Sequence, residues 1–173
     1  MSTLAIRQKL VEIAARDVGQ IETSRNRGPA IKKFWPATSY PDGYANREPY
    51  CAAAVCYWVQ QWLKLPEVAA ELGKSITQLE AWRCKSAAAF SWLDWARAKG
   101  VTILSDSPVN VLHTGDIMVF DMSHIGIVTD DHPDENTVDT IEANTGPSGG
   151  RDGDGIWRKI RPRRVARGFI RLL

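Results

Sequence analysis

The sequence has few of the residues from which metal sites and disulfide frameworks are built. Its 173 residues include three cysteines and three histidines. An odd, low cysteine count in a chain of this length does not indicate a disulfide framework. No local spacing of Cys, His and carboxylate residues matches a zinc site. We therefore predict that the protein needs no metal and no cofactor, and that its cysteines are reduced.

The sequence also lacks the marks of membrane and nucleotide-binding proteins. Charged residues interrupt the first 20 positions throughout, so we predict neither a Sec-type signal peptide nor a membrane span. The formal net charge is only +2, which is too small to indicate a nucleic-acid partner. The glycine-rich stretch 146–155 has neither the Gly-Lys-Ser/Thr of a P-loop nor the closing Glu of an EF-hand. We interpret this stretch as a flap beside a cleft.

What is present is the composition of a soluble domain, with 44% hydrophobic and 24% charged residues. A chain of this length can bury a real core, so we predict a single domain over 1–173 and a monomer. Helical periodicity predicts helices at 3–18, 29–35, 51–63 and 86–99, with one or two shorter helices at 65–85. After Val101 the pattern alternates and predicts strands near 101–104, 116–121, 124–130, 137–143, 156–161 and 168–172. Helices followed by strands predict an α+β fold with an antiparallel sheet.

Cys51 lies at the predicted start of the helix 51–63. Pro49 cannot extend a helix backward, so the helix should begin near Tyr50 and place Cys51 in its first turn. There the thiol faces the positive end of the helix dipole, which favours the nucleophilic thiolate. Cys56 lies about 140° further around the helix and is interpreted as packing. A lone cysteine is more often a small buried hydrophobe, so the case for a nucleophile depends on its partners.

A thiolate nucleophile needs a base and a group that orients the base. His124 begins a predicted strand and is the candidate base. The next strand, within 137–146, places Glu142 and Asn144 on a common face. Either side chain could hold the imidazole.

Several motifs together resemble the CHAP group of the NlpC/P60 papain-like superfamily. They are NRGPAIKKF, PYCAAAVCYWV, GDIMVFDMSHIGIVT, IEANTG and GIWRKIRP, in the order of the family. The resemblance extends from about Val11 to about Arg163. It implies a papain-like fold, with N-terminal helices packed on an antiparallel sheet, and a cysteine amidase or endopeptidase that cuts the peptide part of peptidoglycan.

The resemblance also implies roles for individual residues. It assigns the family's cysteine to Cys51, its histidine to His124, its acidic partner to Glu142 and its asparagine to Asn144, and it favours Glu142 as the orienting group. Three features depart from the family: Tyr50 stands where tryptophan is usual, 65–85 is predicted to be a helical insertion, and the acidic loop of calcium-binding members is missing. The last departure again predicts no metal.

The loop 36–49 ends two residues before Cys51 and should form one wall of the cleft. The backbone N–H of Cys51 is one candidate donor to an oxyanion. Candidate side-chain donors are Tyr44, Asn46 and Tyr50, among which the sequence does not choose. Further candidates for the substrate cleft are Arg25, Asn26 and Trp35.

The C-terminal stretch carries many cations: Arg158, Lys159, Arg161, Arg163, Arg164, Arg167 and Arg171. Alternation in a strand would expose several of them, so we interpret them first as a solvated face. A secondary interpretation is attraction to an anionic surface such as cell wall or nucleic acid.

The function expected from these observations is hydrolysis of peptidoglycan stem peptides, by a phage lysin or by a secreted antibacterial effector that has an immunity protein. The enzyme would then act in the periplasm or cell wall after phage lysis or delivery by a secretion system. One alternative is a cysteine protease toxin with a cytosolic protein substrate. Another is an inactive wall-binding module, against which the presence of all four site residues argues.

Overall fold

The computed structural model describes residues 2–148 and 153–173. The α-helices of the described residues are α1 (Thr3–Ala15), α2 (Pro29–Lys32), α3 (Cys51–Leu63), α4 (Pro66–Glu71), α5 (Ile76–Trp82) and α6 (Ser91–Lys99). Short 3-10 helices occur at Trp35–Ala37, Pro41–Gly43, Pro133–Glu135 and Arg163–Val165. No helix in the described part of the chain is long and apolar enough to cross a membrane.

The strands follow the helices in the chain and form one antiparallel sheet. They are β1 (Thr102–Leu104), β2 (Ile117–Phe120), β3 (His124–His132), β4 (Thr137–Thr145), β5 (Gly155–Pro162) and β6 (Ala166–Arg171). Their spatial order in the described residues is β1-β6-β2-β3-β4-β5. The predicted α+β fold is therefore confirmed, and it is compatible with a papain-like arrangement.

Helix α3 is the buried centre of this architecture. It packs against α1 on one side and against β3 and β4 on the other. Trp58 and Trp62 are almost fully buried, and their indole N–H groups bind Asp17 and the Ile6 carbonyl at 2.8 Å each. Burial of large side chains together with satisfied indole donors gives α3 a fixed position against the sheet.

The two faces of the sheet have different partners. One face contributes to the main core with the helices, through Ile125 and Ile127 of β3 and Ile141 of β4. Because side chains alternate along a strand, His124 and Glu142 lie on the other face. Phe120 belongs to a smaller apolar cluster on that second face.

Two predicted helices have different ends in the structure. Helix α1 ends at Ala15, because Asp17 leaves the helix to bind Lys33 and Trp58. The predicted helix 29–35 is divided into α2 and the 3-10 helix Trp35–Ala37.

The start of the predicted helix 86–99 was also wrong, because α6 begins only at Ser91. The Ser86 hydroxyl accepts the Ala88 N–H at 3.1 Å, and the Ser86 carbonyl accepts from the Trp92 indole at 3.1 Å. Side-chain hydrogen bonds of this kind compete with helical ones and hold 86–90 outside the helix.

The stretch 65–85 forms two short helices, α4 and α5, as predicted. Gly73 separates them with φ of +62°, a left-handed conformation that favours glycine. Ser75 and Gln78 form a capping box at the start of α5. Val68 and Leu79 are buried, whereas Ile76 is 46% exposed.

Candidate active site

Cys51 is the first residue of α3. Tyr50 before it is not helical, which leaves Cys51 among the first backbone N–H groups of the helix, where no helical partner exists. Cys51 is buried but still reaches solvent, with 6% of the residue's surface exposed. The thiol therefore lies where partial positive charge and free N–H donors meet.

His124 is held by Glu142 from the neighbouring strand. His124 Nε2 lies 2.9 Å from Glu142 Oε2, and the side chains are 1% and 0% exposed. The register of β3 and β4 pairs Gly126 with Glu142, so the carboxylate must reach across the glycine toward the start of β3. A Cβ added at Gly126 would lie 2.7 Å from Glu142 Cγ, which no real side chain allows. Gly126 thus provides the space for this contact.

The other ring nitrogen of His124, Nδ1, is buried and makes no regular hydrogen bond within the described residues. Burial would lower the pKa of His124, but interactions with Cys51 and Glu142 outweigh it and raise the pKa to about 9. The imidazolium form is therefore favoured, with Cys51 on one side of the ring and the Glu142 carboxylate on the other. With Nε2 on Glu142, Nδ1 is the nitrogen available to Cys51.

Glu142 is surrounded by donors. Burial would raise its pKa, but hydrogen bonds from Arg161 and then His124 hold it well below its ordinary value. Arg161 donates from Nε to Oε1 at 2.8 Å and from an Nη to Oε2 at 2.6 Å. The Thr140 hydroxyl donates to Oε1 at 2.6 Å. A buried carboxylate with these partners stays ionised.

A cavity of about 360 Å³ opens beside the thiol. Its lining residues are Trp35, Ser39, Tyr40, Glu48, Pro49, Cys51, Ser86, Ala87, Ala88, Ala89 and Ser123. The predicted cleft residue Trp35 is among them, and so is the end of the predicted wall 36–49. The irregular segment 86–89 forms a further part of the wall that the sequence prediction had assigned to a helix. A substrate in this cavity would lie directly against Cys51.

The side chains predicted as oxyanion donors lie elsewhere. The Tyr44 hydroxyl accepts the Gly28 N–H at 3.3 Å, and the Asn46 amide donates to the Tyr40 hydroxyl. Tyr50 is fully buried and stacks on Phe34. Burial and then Glu22 raise the pKa of Tyr50, so its hydroxyl stays protonated. Of the four candidates, Cys51 with its backbone N–H is the one that lines the cavity.

Arg25 and Asn26 also lie away from the cavity lining. Arg25 is exposed. Asn26 is buried with φ of 55°, and its amide donates to the Arg47 carbonyl at 2.7 Å while its backbone N–H donates to Glu22. These contacts and the positive φ show that Asn26 forms a turn, although the sequence analysis proposed it for the substrate cleft.

Asn144 is buried at the end of β4 with φ of 58°. The contact of His124 Nε2 is with Glu142, whereas the Asn144 backbone lies beside the Tyr50 hydroxyl. The geometry thus agrees with Glu142 as the orienting group that the family resemblance favoured. Cys56 and Cys84 are free and buried, and burial raises the pKa of both thiols.

No group of three or more His, Cys, Asp or Glu side chains that could hold a metal ion occurs in 2–148 or 153–173. Part of the predicted flap 146–155 lies outside the described residues. Lys159 donates to the carbonyls of Gly146 and Pro147 at 2.9 Å and 2.7 Å, which ties the first residues of that stretch to β5.

Sequence reasoning missed Arg161, which it had placed in a solvated basic face. That interpretation was wrong for three of the arginines. Arg161 and Arg163 are 9% and 2% exposed, and Arg171 binds Asp116 at 2.6 Å. The alternation of β5 could have indicated a shared face with Glu142, but the acidic partners are too distant in sequence for a local pattern to identify.

A family model described as "CHAP domain" matches residues 39–144. The matched range contains Cys51, His124, Glu142 and Asn144 and most of the cavity wall. This match confirms the resemblance that the sequence motifs indicated. A comparison with curated protein sequences found no match.

Proposed function

The chain belongs to the CHAP domain family, whose members are typically amidases or peptidases acting on peptidoglycan, and we propose that it is a cysteine hydrolase that cuts amide bonds in peptidoglycan stem peptides. In this proposal Cys51 is the nucleophile, His124 is the general base and acid, and Glu142 orients His124.

One observation supports the proposal above the others. A cysteine at a helix start, a histidine and a carboxylate are lined up across α3, β3 and β4, and the cysteine opens onto a cavity. This is the order of groups that nucleophilic catalysis by a thiol requires.

The first half of the reaction forms a thioester. His124 has already taken the thiol proton and is an imidazolium, so the Cys51 thiolate attacks the amide carbonyl carbon and the carbonyl oxygen becomes an oxyanion. The backbone N–H of Cys51, at the positive end of α3, stabilises this oxyanion. His124 then gives its proton to the leaving nitrogen, the C–N bond breaks, and a free amine departs.

The second half regenerates the enzyme. His124 takes a proton from water, and the hydroxide attacks the thioester carbonyl. The C–S bond breaks, a carboxylic acid leaves, and the Cys51 thiolate recovers beside the imidazolium. Glu142 remains ionised throughout and holds the ring so that Nδ1 keeps facing the sulfur.

The cavity is consistent with a peptide substrate. Its wall at 86–89 consists of serine and three alanines, which leaves room for an extended chain close to the sulfur. Trp35 and Tyr40 offer apolar surface for side chains on the substrate. We place the site of action in the cell wall, reached after phage lysis or through a secretion system.

The test is mass spectrometry of soluble products after purified peptidoglycan is incubated with the wild-type protein or with Cys51→Ala. We expect new fragments from the wild-type protein alone, and their masses identify the bond that is cut. Cys56→Ala serves as a matched control, because that thiol is buried away from the cavity and its variant should release the same fragments.

Absence of fragments from the folded wild-type protein would contradict the proposal and direct attention to a protein substrate. Toxicity to bacteria that express the protein distinguishes a peptidoglycan substrate from a cytosolic protein substrate. A wall hydrolase should harm bacteria only when it is directed to the periplasm, whereas a protease with a cytosolic substrate should harm them without a signal sequence.

A further inference from the structure

Arg161 makes the closest ionic contact of the site, yet it belongs to neither half of the thiol–imidazole pair. Its guanidinium holds both oxygens of Glu142, at 2.8 Å and 2.6 Å. The side chains are 11% and 0% exposed. A buried two-point contact between a planar guanidinium and a carboxylate fixes both the position and the rotation of the carboxylate.

An aromatic ring completes the arrangement. The Arg161 guanidinium carbon lies 5.5 Å from the centre of the Phe120 ring, and the Phe120 and His124 rings are 5.2 Å apart. Phe120 therefore contacts both the arginine and the imidazole that share Glu142. The four side chains form a closed set in which none can turn without disturbing a neighbour.

The charges around Glu142 come from several elements. The two cations that contact Glu142 are His124 on β3 and Arg161 on β5. Cys51 on α3 lies on the far side of His124, and Thr140 on β4 is a neutral hydrogen-bond donor to the carboxylate. Asp121 and Arg164 line the surface pocket at the outer side of Arg161. A buried carboxylate beside a single imidazole would tend to take up a proton, because burial disfavours its charged form. Arg161 supplies the second cation that prevents this.

We propose that Arg161 is a positioning residue for the reaction: it keeps Glu142 ionised and oriented, and through Glu142 it sustains the imidazolium of His124 and the thiolate of Cys51. This inference rests on the proposed function, because a positioning role presupposes that Cys51 and His124 are catalytic. Its test needs no substrate.

The test measures the rate at which iodoacetamide alkylates Cys51 as a function of pH, with the modified peptide followed by mass spectrometry. Thiolate is the reactive form, so the acid limb of this profile reports the ionisation of Cys51. Cys51→Ala gives the background from the buried Cys56 and Cys84. The variants are Arg161→Gln, which removes the charge, and Arg161→Lys, which keeps a charge but lacks the planar fork.

In Arg161→Gln the acid limb should move to higher pH by about one unit. Loss of a cation disfavours the thiolate directly. If Glu142 becomes protonated as a result, the imidazolium loses its support, and the limb moves in the same direction. In Arg161→Lys the rise should be smaller, about 0.3 unit, because an ammonium holds the carboxylate oxygens less rigidly.

Arg164→Gln is the matched control, since it removes one exposed positive charge three positions along the chain and should leave the limb unchanged. A merely structural role for Arg161 would lower the melting temperature of its variants without moving the limb, and that result overturns the proposal. If Arg161→Gln does not fold, Arg161→Lys provides the test. An acid limb at the same pH as in the wild-type protein then overturns the proposal. Failure to cut peptidoglycan would refute the proposed function while leaving the alkylation result interpretable.

Discussion

Glu142 Oε2 lies 2.9 Å from His124 Nε2, with both side chains shielded from solvent. The contact uses one ring nitrogen and so leaves Nδ1 as the nitrogen that can exchange a proton with Cys51. Orientation of a catalytic imidazole by a buried acid is a strong effect, because the wrong ring orientation or tautomer removes the base altogether.

The first prediction concerns this contact. Glu142→Gln should lower kcat on a cleavable stem peptide by roughly 10²- to 10⁴-fold with little change in KM, because the amide orients His124 less well and cannot stabilise the imidazolium. Steady-state kinetics check it. Asp139→Asn, on the same strand but paired with His132 at 37% exposure, should retain nearly full activity. Equal losses in both variants would contradict the role given to Glu142.

A second prediction concerns pH and stability. Burial would lower the pKa of His124, but Cys51 and Glu142 raise it from 6.5 to about 9. Its contribution to the free energy of unfolding is therefore complete below about pH 6.5 and is lost as pH rises through about 9. The pKa of Glu142 lies below its ordinary value of 4.5, so its contribution is present above that value and is lost only in stronger acid.

Consequently, Glu142→Gln should reduce the free energy of unfolding by about 3 kcal/mol at mildly acidic pH and by less at strongly alkaline pH. Urea denaturation at several pH values measures this difference. The same loss of unfolding free energy at every pH would show that the ionisation of His124 and Glu142 does not contribute to stability.

The third prediction concerns charge selectivity. Among the described residues that line the cavity, Glu48 is the only Asp, Glu, Lys or Arg. A stem peptide with a free amine near the scissile bond should have a lower KM than an acetylated copy. Glu48→Gln should abolish most of this preference, which we expect to be about three-fold because the site is exposed and screened by solvent. Glu135→Gln, far from the lining residues, should preserve the preference, and a preference that survives in Glu48→Gln would contradict the assignment.

The fourth prediction concerns the wall of the cavity. A Cβ at Gly43 would lie 2.0 Å from the Trp35 ring, so Gly43→Ala must displace a buried indole that lines the cavity. We expect a loss of about 1–3 kcal/mol in stability and a raised KM. Gly73→Ala is the control: it carries backbone strain at φ of +62° but has no atom within 4 Å of the new methyl, so stability should fall without a change in KM. Unchanged kinetics in Gly43→Ala would show that Trp35 does not shape the substrate site.

The sequence was sufficient for the parts of the fold that local rules govern. Pro49 and the apolar spacing after it predicted the start of α3, and alternation predicted the strands within about two residues. The pairing of His124 with Glu142 followed from their places on adjacent strands together with the family resemblance.

Contacts made by tertiary structure were harder to predict. The segment 86–90 has a helical pattern in the sequence. In the structure, however, the Trp92 indole and the Cys56 thiol both donate to the Ser86 carbonyl, and the sequence around Ser86 does not reveal the contact with Cys56. Arg161 is chemically indistinguishable from the neighbouring Arg164 in the sequence. Arg161 lies on β5 and is buried on Glu142, whereas Arg164 lies after the end of the strand, in the 3-10 helix Arg163–Val165, and is exposed.

The contact between Arg161 and Glu142 also determines how the protein responds to ionic strength. With Cys51 as thiolate and His124 as imidazolium, the site contains two anions and two cations, and their charges cancel. Three of the four side chains are almost completely inaccessible to mobile ions, so dissolved salt screens the interactions among these charges only weakly. Salt should therefore act on how a charged polymer approaches the cavity, while the ionisation of the nucleophile stays nearly constant between dilute buffer and high salt.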